Sequence, residues 1–367
     1  MNSLQKKKVF VAMSGGVDSS VAAGLLKNQG CDVVGVTMCF SISYPNRKKP
    51  SFCGADGIAD AKRVAEILDI PHYVLDFKAE MADLIVRDFT DEYLNGRTPN
   101  PCVRCNYLLK FGTLYQKVRE MGADYLATGH YARIEQDQET LQYALKKAVD
   151  LKKDQSYFLY GMRKEIFPYI LFPLGGMPKE GARGLARKYN FNIADKEESQ
   201  DICFVPDGGY KQFIKDLLGE EALKPGPFKN PQGEVIGEHK GIAHYTIGQR
   251  DKLGLALGFP AYVYRIDKHT NTVYVGKEDC LYAKGLSASQ VNWLGENISK
   301  DAVEVQARIR YNSSEVAARI VSCEKGNIKL EFHEPQKSVT PGQSVVFYKE
   351  DIVLGGGVIE GSLAEDR

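Results

Sequence analysis

The chain has 367 residues, enough for two or three domains, and its 43% hydrophobic and 26% charged content is that of an ordinary globular protein. A net charge of +1 supplies no bulk field for a polyanion, and no apolar run reaches the roughly eighteen residues that a membrane-spanning helix needs. The basic start, MNSLQKKKVFVAMSGG, holds an apolar run only from Val9 to Met13, too short for a signal peptide, so a cytoplasmic protein is expected. In that reducing setting the eight cysteines, at 31, 39, 53, 102, 105, 203, 280 and 323, do not read as a disulfide framework.

VFVAM (9–13) has the pattern of a short buried strand, and SVAAGLLKNQG (20–30) predicts a helix closed by Gly30. DVVGVTM (32–38) is a second apolar strand. Ile58, Ala61, Ala65 and Leu68 fall at helical spacing, and HYVLDF (72–77) is a third strand. Leu108, Phe111, Tyr115 and Val118 mark another helix before the strand DYLATG (124–129). Apolar strands alternating with helices predict a parallel sheet covered on both faces, with ligands at the carboxyl ends of its strands. Ser14–Ser19 and Gly129-His130 lie at that edge. After about residue 205 the chain turns rich in glycine and proline. Short strands follow: YVYRID, TVYVG, VEVQARIRY, KLEF and SVVFY. The expected organisation is an α/β domain over 1–204, a small β-rich central domain over 205–278 and a C-terminal β-barrel over 279–367. Basic clusters at Arg47-Lys48-Lys49, Lys146-Lys147, Lys152-Lys153, Arg183 with Arg187-Lys188, and Arg308 with Arg310 are short enough to be solvated faces.

SGGVDSS joins the first strand to the first helix. Its glycines let the backbone approach a ligand closely, and the free N–H groups and dipole of the helix start favour an anion. The loop has no lysine, so it is not a Walker-type cradle. Asp18 repels phosphate unless a divalent ion lies between them. Two glycines alone would be an ordinary turn; the whole pattern after the first strand points to a nucleotide.

RTPNPCVRCNYLLKFG (97–112) sets two cysteines three apart at a proline-rich turn opening a helix. A zinc site would need a second ligand pair, and none is evident. A helix N-terminus lowers a thiol pKa, which would raise the thiolate fraction from the few percent of a free thiol at neutral pH.

SGGVDSS resembles the pyrophosphatase loop of the adenylating ATPases, which cleave ATP to AMP and pyrophosphate. With PNPCVRCNYLLKFG, ATGHYAR, KDQSYFL, ESQDICFV, HYTIGQR and RIRY in order, the chain from about Val9 to Gly357 resembles the tRNA-specific 2-thiouridylase family. The resemblance implies an adenine-nucleotide α-hydrolase-like first domain, ATP with Mg²⁺ as cofactors, and no permanent metal. It makes Cys105 the nucleophile and Cys203 the persulfide carrier. ATP contacts fall on Ala12, Met13, Ser14, Gly15, Gly16, Val17, Asp18, Ser19, Met38 and Gly129, with Mg²⁺ reached through Asp18. Target-base contacts fall on Asn100, Pro101 and Cys102, and tRNA contacts on His130, Lys153, Asp154, Gln155, Arg310, Tyr311 and Gln343. Arginine beside tyrosine suits a phosphate and a stacked, unpaired base. Partners implied are tRNA, through the wobble uridine of lysine, glutamate and glutamine tRNAs, and a persulfide-donating protein, a cysteine desulfurase or relay. No membrane is involved. The resemblance breaks at Cys102, where some members carry an aspartate with an acid/base role. Rival readings are an amidating synthetase, which has no use for the two thiols; a 2-thiocytidine tRNA enzyme, expected to carry cluster-binding cysteines; and a tRNA-binding or sulfur-carrier protein with a vestigial loop.

Overall fold

Val9, Phe10 and Val11 are no more than 1% exposed and form the spine of the first domain. The computed structural model describes residues 4–40, 55–197, 202–205, 209–295 and 303–363. The Arg47-Lys48-Lys49 cluster, Cys53 and the 198–201 part of ESQDICFV lie outside them. The chain begins β1 (Lys8–Ala12), α1 (Val17–Asn28), β2 (Asp32–Cys39), α2 (Ala55–Ile67) and β3 (His72–Asp76). A helical run follows: α3 (Lys78–Met81), a π-turn over Ala82–Val86, and α4 (Arg87–Leu94). After the proline-rich turn come α5 (Pro101–Arg104), a π-helical stretch over Cys105–Leu114, and α6 (Tyr115–Glu120). Then come β4 (Tyr125–Thr128), a hairpin of β5 (Ala132–Gln136) and β6 (Tyr143–Lys147), the short β7 (Ile170–Leu171) and α7 (Lys179–Lys188). The sheet runs β3-β2-β1-β4-β7 and is parallel throughout, as the alternation of apolar strands and helices predicts.

Two helix starts have clear local causes. α5 has Asn100 at its N-cap, accepting a hydrogen bond from the Val103 N–H at 3.3 Å, and Pro101 in its first turn, where no amide donor is missed. The following stretch departs from the predicted α-helix. Its buried positions are Cys105, Asn106, Leu109, Phe111 and Leu114, continued by Val118 in α6, and the backbone over Cys105–Leu114 is a π-helix. Gly112 makes the wide turn tolerable, because a Cβ there would lie 3.0 Å from the Tyr107 carbonyl oxygen five residues back.

After the helix over Gly209–Leu218, the central region is a four-stranded sheet of β8 (Gly226–Lys229), β9 (Val235–His239), β10 (Tyr262–Asp267) and β11 (Thr272–Gly276), ordered β10-β11-β8-β9. The barrel comprises β12 (Tyr282–Trp293), β13 (Val303–Arg308), β14 (Val316–Glu324), β15 (Asn327–Lys337), β16 (Ser344–Lys349) and β17 (Ile352–Ser362). It runs β12-β15-β14-β13-β16-β17 and closes through antiparallel pairing of β12 with β17. The β5–β6 hairpin leaves the first domain's sheet and joins this one, with Lys146 opposite Ile352. One apolar core accordingly crosses the regions: Phe89, Leu109 and Tyr157 belong to the same buried cluster as Ala243 of the central region and Leu294, Val346, Tyr348 and Val353 of the barrel. No helix among the described residues is long and apolar enough to cross a membrane.

Candidate nucleotide and sulfur site

Strand β1 delivers Met13 and Ser14 to the carboxyl edge of the sheet, and the chain turns sharply into α1. Gly15 takes φ +76°, and a Cβ there would lie 2.1 Å from the Gly57 oxygen, so no other residue fits the turn. The serines are turned inward. Ser14 N–H donates to Ser19 Oγ at 3.1 Å, Ser19 Oγ donates to the Gly16 oxygen at 3.2 Å, and Ser20 Oγ donates to the same oxygen at 2.9 Å. Gly16 caps α1 without a side chain, leaving the first-turn N–H groups for a ligand. Gly129 packs against the start of α1, with space for no side chain next to Ser19 N. Met38, near the end of β2, and Ala12 are half-buried at the same edge, while Val17 is buried. A glycine-lined cradle at a twelve-residue helix start suits the phosphates of a nucleotide.

Asp18 has a partner that lies far along the chain. Both of its oxygens accept from Lys179 Nζ, at 2.7 and 2.8 Å, and Oδ1 also accepts from Tyr131 Oη at 3.0 Å. Lys179 is only 5% exposed. Lys179 therefore offsets the carboxylate's charge, while the Asp18 side chain remains about one-third exposed at the loop. The described residues contain no group of three His, Cys, Asp or Glu placed to hold a metal. Lys179, which sequence reasoning missed, sets a cation at a loop that lacks one of its own. The sequence gives no local sign of this, since the two residues lie 161 positions apart.

The three cysteines of the motifs act on one another. Cys105 is 8% exposed, and Cys102 and Cys203 are exposed. Burial pushes the Cys105 thiol up to about 12, opposed by the positive charge of Lys110 and reinforced by Cys203 and Cys102. Cys102, accessible but set low in the cleft, is also pushed up, by burial and then by Cys203. The helix-start lowering expected of these thiols does not occur: α5 is one turn long, and desolvation outweighs it. Cys203 thus acts electrostatically on both other cysteines despite its distance along the chain. His130 accepts or donates at 2.6 Å with Thr128 Oγ1, and its ring lies 5.9 Å from Phe111 and 5.8 Å from Phe172. Burial, then Lys110, holds it well below the ordinary histidine range, so its imidazole is neutral.

The remaining candidates lie along the seam with the barrel. Asp154 is 3% exposed; it accepts from the Ala148 and Ser156 amides at 3.0 and 3.2 Å and from Ser156 Oγ at 2.8 Å. Its side chain is buried and braces a turn. Lys153 is half-buried beside it. Gln155 grips the Tyr131 backbone, donating from N–H at 2.8 Å and accepting at Oε1 at 3.0 Å. Arg310 donates to the Ser338 oxygen and to Thr340 Oγ1, and Tyr311 packs on Phe158 with centroids 4.4 Å apart. Gln343 donates to the Thr98 and Pro99 oxygens at 2.9 and 3.2 Å, directly before Asn100 and the buried Pro101. Arg97 pairs with Glu92 at 2.7 Å and with Glu360 of the barrel at 2.6 Å. The cysteine turn is therefore clasped from behind by β17 and the Pro341–Gln343 turn.

Residues 7–207 match the family described as the tRNA methyl transferase HUP domain, 211–277 the tRNA methyl transferase PRC-barrel domain, and 283–359 the aminomethyltransferase beta-barrel domain. The tRNA-specific 2-thiouridylase MnmA of Carboxydothermus hydrogenoformans is 48% identical over 98% of this chain and 99% of its own. MnmA 1 of Caldanaerobacter subterraneus subsp. tengcongensis is 48% identical over 96% and 98%, and MnmA of Acetivibrio thermocellus 46% identical over 97% and 100%.

Proposed function

The chain belongs to the family of tRNA-specific 2-thiouridylases, and we propose that it thiolates carbon 2 of the wobble uridine of tRNA, using ATP and a persulfide carried on Cys203. Likeness over the whole chain to 2-thiouridylases outweighs the methyl-transfer name of the domain family, and a chain with a nucleotide cradle and three mutually interacting thiols suits sulfur chemistry. The observation that carries the reading is the whole-chain likeness to tRNA-specific 2-thiouridylases, and it is supported by Cys203 lying near enough to Cys105 to raise its thiol.

Carbonyl oxygen is a poor leaving group. ATP supplies an adenylate on the carbon-2 oxygen, with pyrophosphate released, so that AMP can depart. The loop from Ser14 to Ser19 holds the phosphates, and Lys179 offsets their charge together with that of Asp18. Mg²⁺ would accompany the nucleotide and neutralise its phosphates, with Asp18 the carboxylate of the loop placed nearest to it. A Cys105 thiolate attacks the inner sulfur of the Cys203 persulfide, forming a Cys105–Cys203 disulfide and releasing hydrosulfide. Hydrosulfide replaces the adenylate oxygen at carbon 2, giving the thiocarbonyl, AMP and a proton. A thiol reductant donates two electrons to reopen the disulfide. An anticodon-loop uridine is already unpaired, so drawing it into the cleft costs less than the few kcal/mol of duplex flipping. Asn100, Pro101 and Cys102 line its approach. Gln155, Arg310, Tyr311 and Gln343 lie along a seam that can follow the RNA. The donor protein, the lysine, glutamate and glutamine tRNAs as substrates, and a cytoplasmic location complete the proposal.

The test is a thiolation assay with unmodified glutamate tRNA, ATP, Mg²⁺ and a persulfide donor, read by nucleoside mass spectrometry. Wild type should make 2-thiouridine, Cys105→Ser and Cys203→Ser none, and Cys102→Ser a reduced amount. AMP release without a thionucleoside in wild type would reject the substrate.

A further inference from the structure

Cys105 opens the π-helical stretch Cys105–Leu114. In that register each N–H bonds the carbonyl five residues back, so residue 110 stacks near residue 105. In an α-helix, at 3.6 residues per turn, the fifth residue on lies about 140° round the axis. The wide turn thus brings Lys110 onto the face that carries Cys105. His130, after β4, meets the same helix through Phe111, at 5.9 Å between centroids. Lys110 is half-buried, and among the described residues no carboxylate pairs with it. Asp88, on α4, is held by Arg104 at 2.5 Å.

We propose that Lys110 is a positioning residue for the sulfur chemistry: its ammonium holds the anionic form of Cys105 in the cleft, and the π register aims it there. This rests on Cys105 being a reacting thiol. The groups facing Cys105 are Cys102 and Lys110 from its own helix and Cys203 from the 202–205 segment, with His130 facing Lys110 from beyond β4. Only Lys110 supplies positive charge among them, since His130 is neutral and the other two are thiols. Removing Lys110 leaves burial unopposed at Cys105.

The test is the alkylation rate of Cys105 by iodoacetamide between pH 7 and 10, in wild type, Lys110→Met, Lys110→Gln and Lys110→Arg. Trypsin cleaves after Arg104 and so separates Cys102 from Cys105 for mass spectrometry. Loss of an ammonium near a thiol raises its pKa by about one unit, so Lys110→Met and Lys110→Gln should each alkylate about tenfold more slowly at a given pH. Lys110→Arg should restore most of the rate. A loosened fold would expose Cys105 and speed alkylation, the opposite sign, so structural damage is not mistaken for the effect. Equal rates in all four proteins would overturn the proposal; a raised KM for tRNA alongside equal rates would make Lys110 a phosphate contact instead. The alkylation readout uses no tRNA, so thiolation surviving in Cys105→Ser would reject the reading of Cys105 while leaving this measurement interpretable.

Discussion

The ammonium of Lys179 meets both oxygens of Asp18 with 6% of its side chain exposed, against 32% for the carboxylate. Breaking such a pair from one side strands the other charge, at a cost of about 3–5 kcal/mol when both are sealed and less here because Asp18 is partly wet. Lys179→Ala and Asp18→Ala should each lower the melting temperature. Asp18→Asn with Lys179→Met should recover most of it without restoring AMP formation. A double variant that still makes AMP would remove the pair from ATP use. At the seam, Gln343→Ala deletes two hydrogen bonds to the cysteine turn, roughly 1–2 kcal/mol. The expected result is a fall in kcat larger than any rise in KM for tRNA; the reverse split would make Gln343 chiefly an RNA contact. The cysteines and the glycine loop could be read from residue type and spacing. Lys179 and Gln343's second task could not, because their partners are brought close only by the finished fold.

Among the elements, the π-helix carries the sharpest prediction. Gly112→Ala would gain about 1 kcal/mol of helix propensity. Yet its Cβ would crowd the Tyr107 oxygen, an approach that belongs to the π register. The variant should keep its helical circular dichroism and lose thiolation, as the segment moves toward an α-helix and Lys110 turns from Cys105. Full activity would show that the wide turn is incidental. The positions of β1, β2 and β4 follow from apolar runs, which the sheet's burial requires; β3 has such a run too, yet as the edge strand it leaves Tyr73 and Val74 exposed. Leu108, Phe111, Tyr115 and Val118 announce a helix but not its width, since the hydrophobic face of a π-helix differs from an α-helical one by only a residue in each turn. The β5–β6 hairpin escaped notice because ARIEQ and YALKK are half-buried, charged strands with little apolar alternation.

At the level of the whole molecule, burial holds His72, His130, His239 and His244 below the ordinary histidine range. The folded state favours their neutral forms, so the stabilisation is present above about pH 6.5 and is lost as pH falls through that value toward the lower folded pKa values. The urea midpoint should drop between pH 7 and 5, before carboxylate protonation contributes. A flat midpoint over that interval would mean that these imidazoles ionise freely in the folded protein. The sequence of three regions was legible in chain composition. The core they share was not, because Tyr157, Ala243 and Tyr348 look like residues of three separate interiors until the seam closes. Accordingly, the first region and the barrel should melt in one calorimetric transition.

The β6–β17 pairing and the Arg97–Glu360 bridge, whose ends are 263 positions apart, also set a timetable for biosynthesis. The nucleotide loop and the cysteine turn both leave the ribosome well before β17, the strand that clasps that turn. A chain halted beforehand presents the bare edge of β6, an invitation to aggregation, and a cysteine turn with no brace. Stalled nascent chains should therefore stay open to protease around residues 97–105 until β17 has emerged. Catalytic competence would then await the emergence of β17 and not arrive region by region.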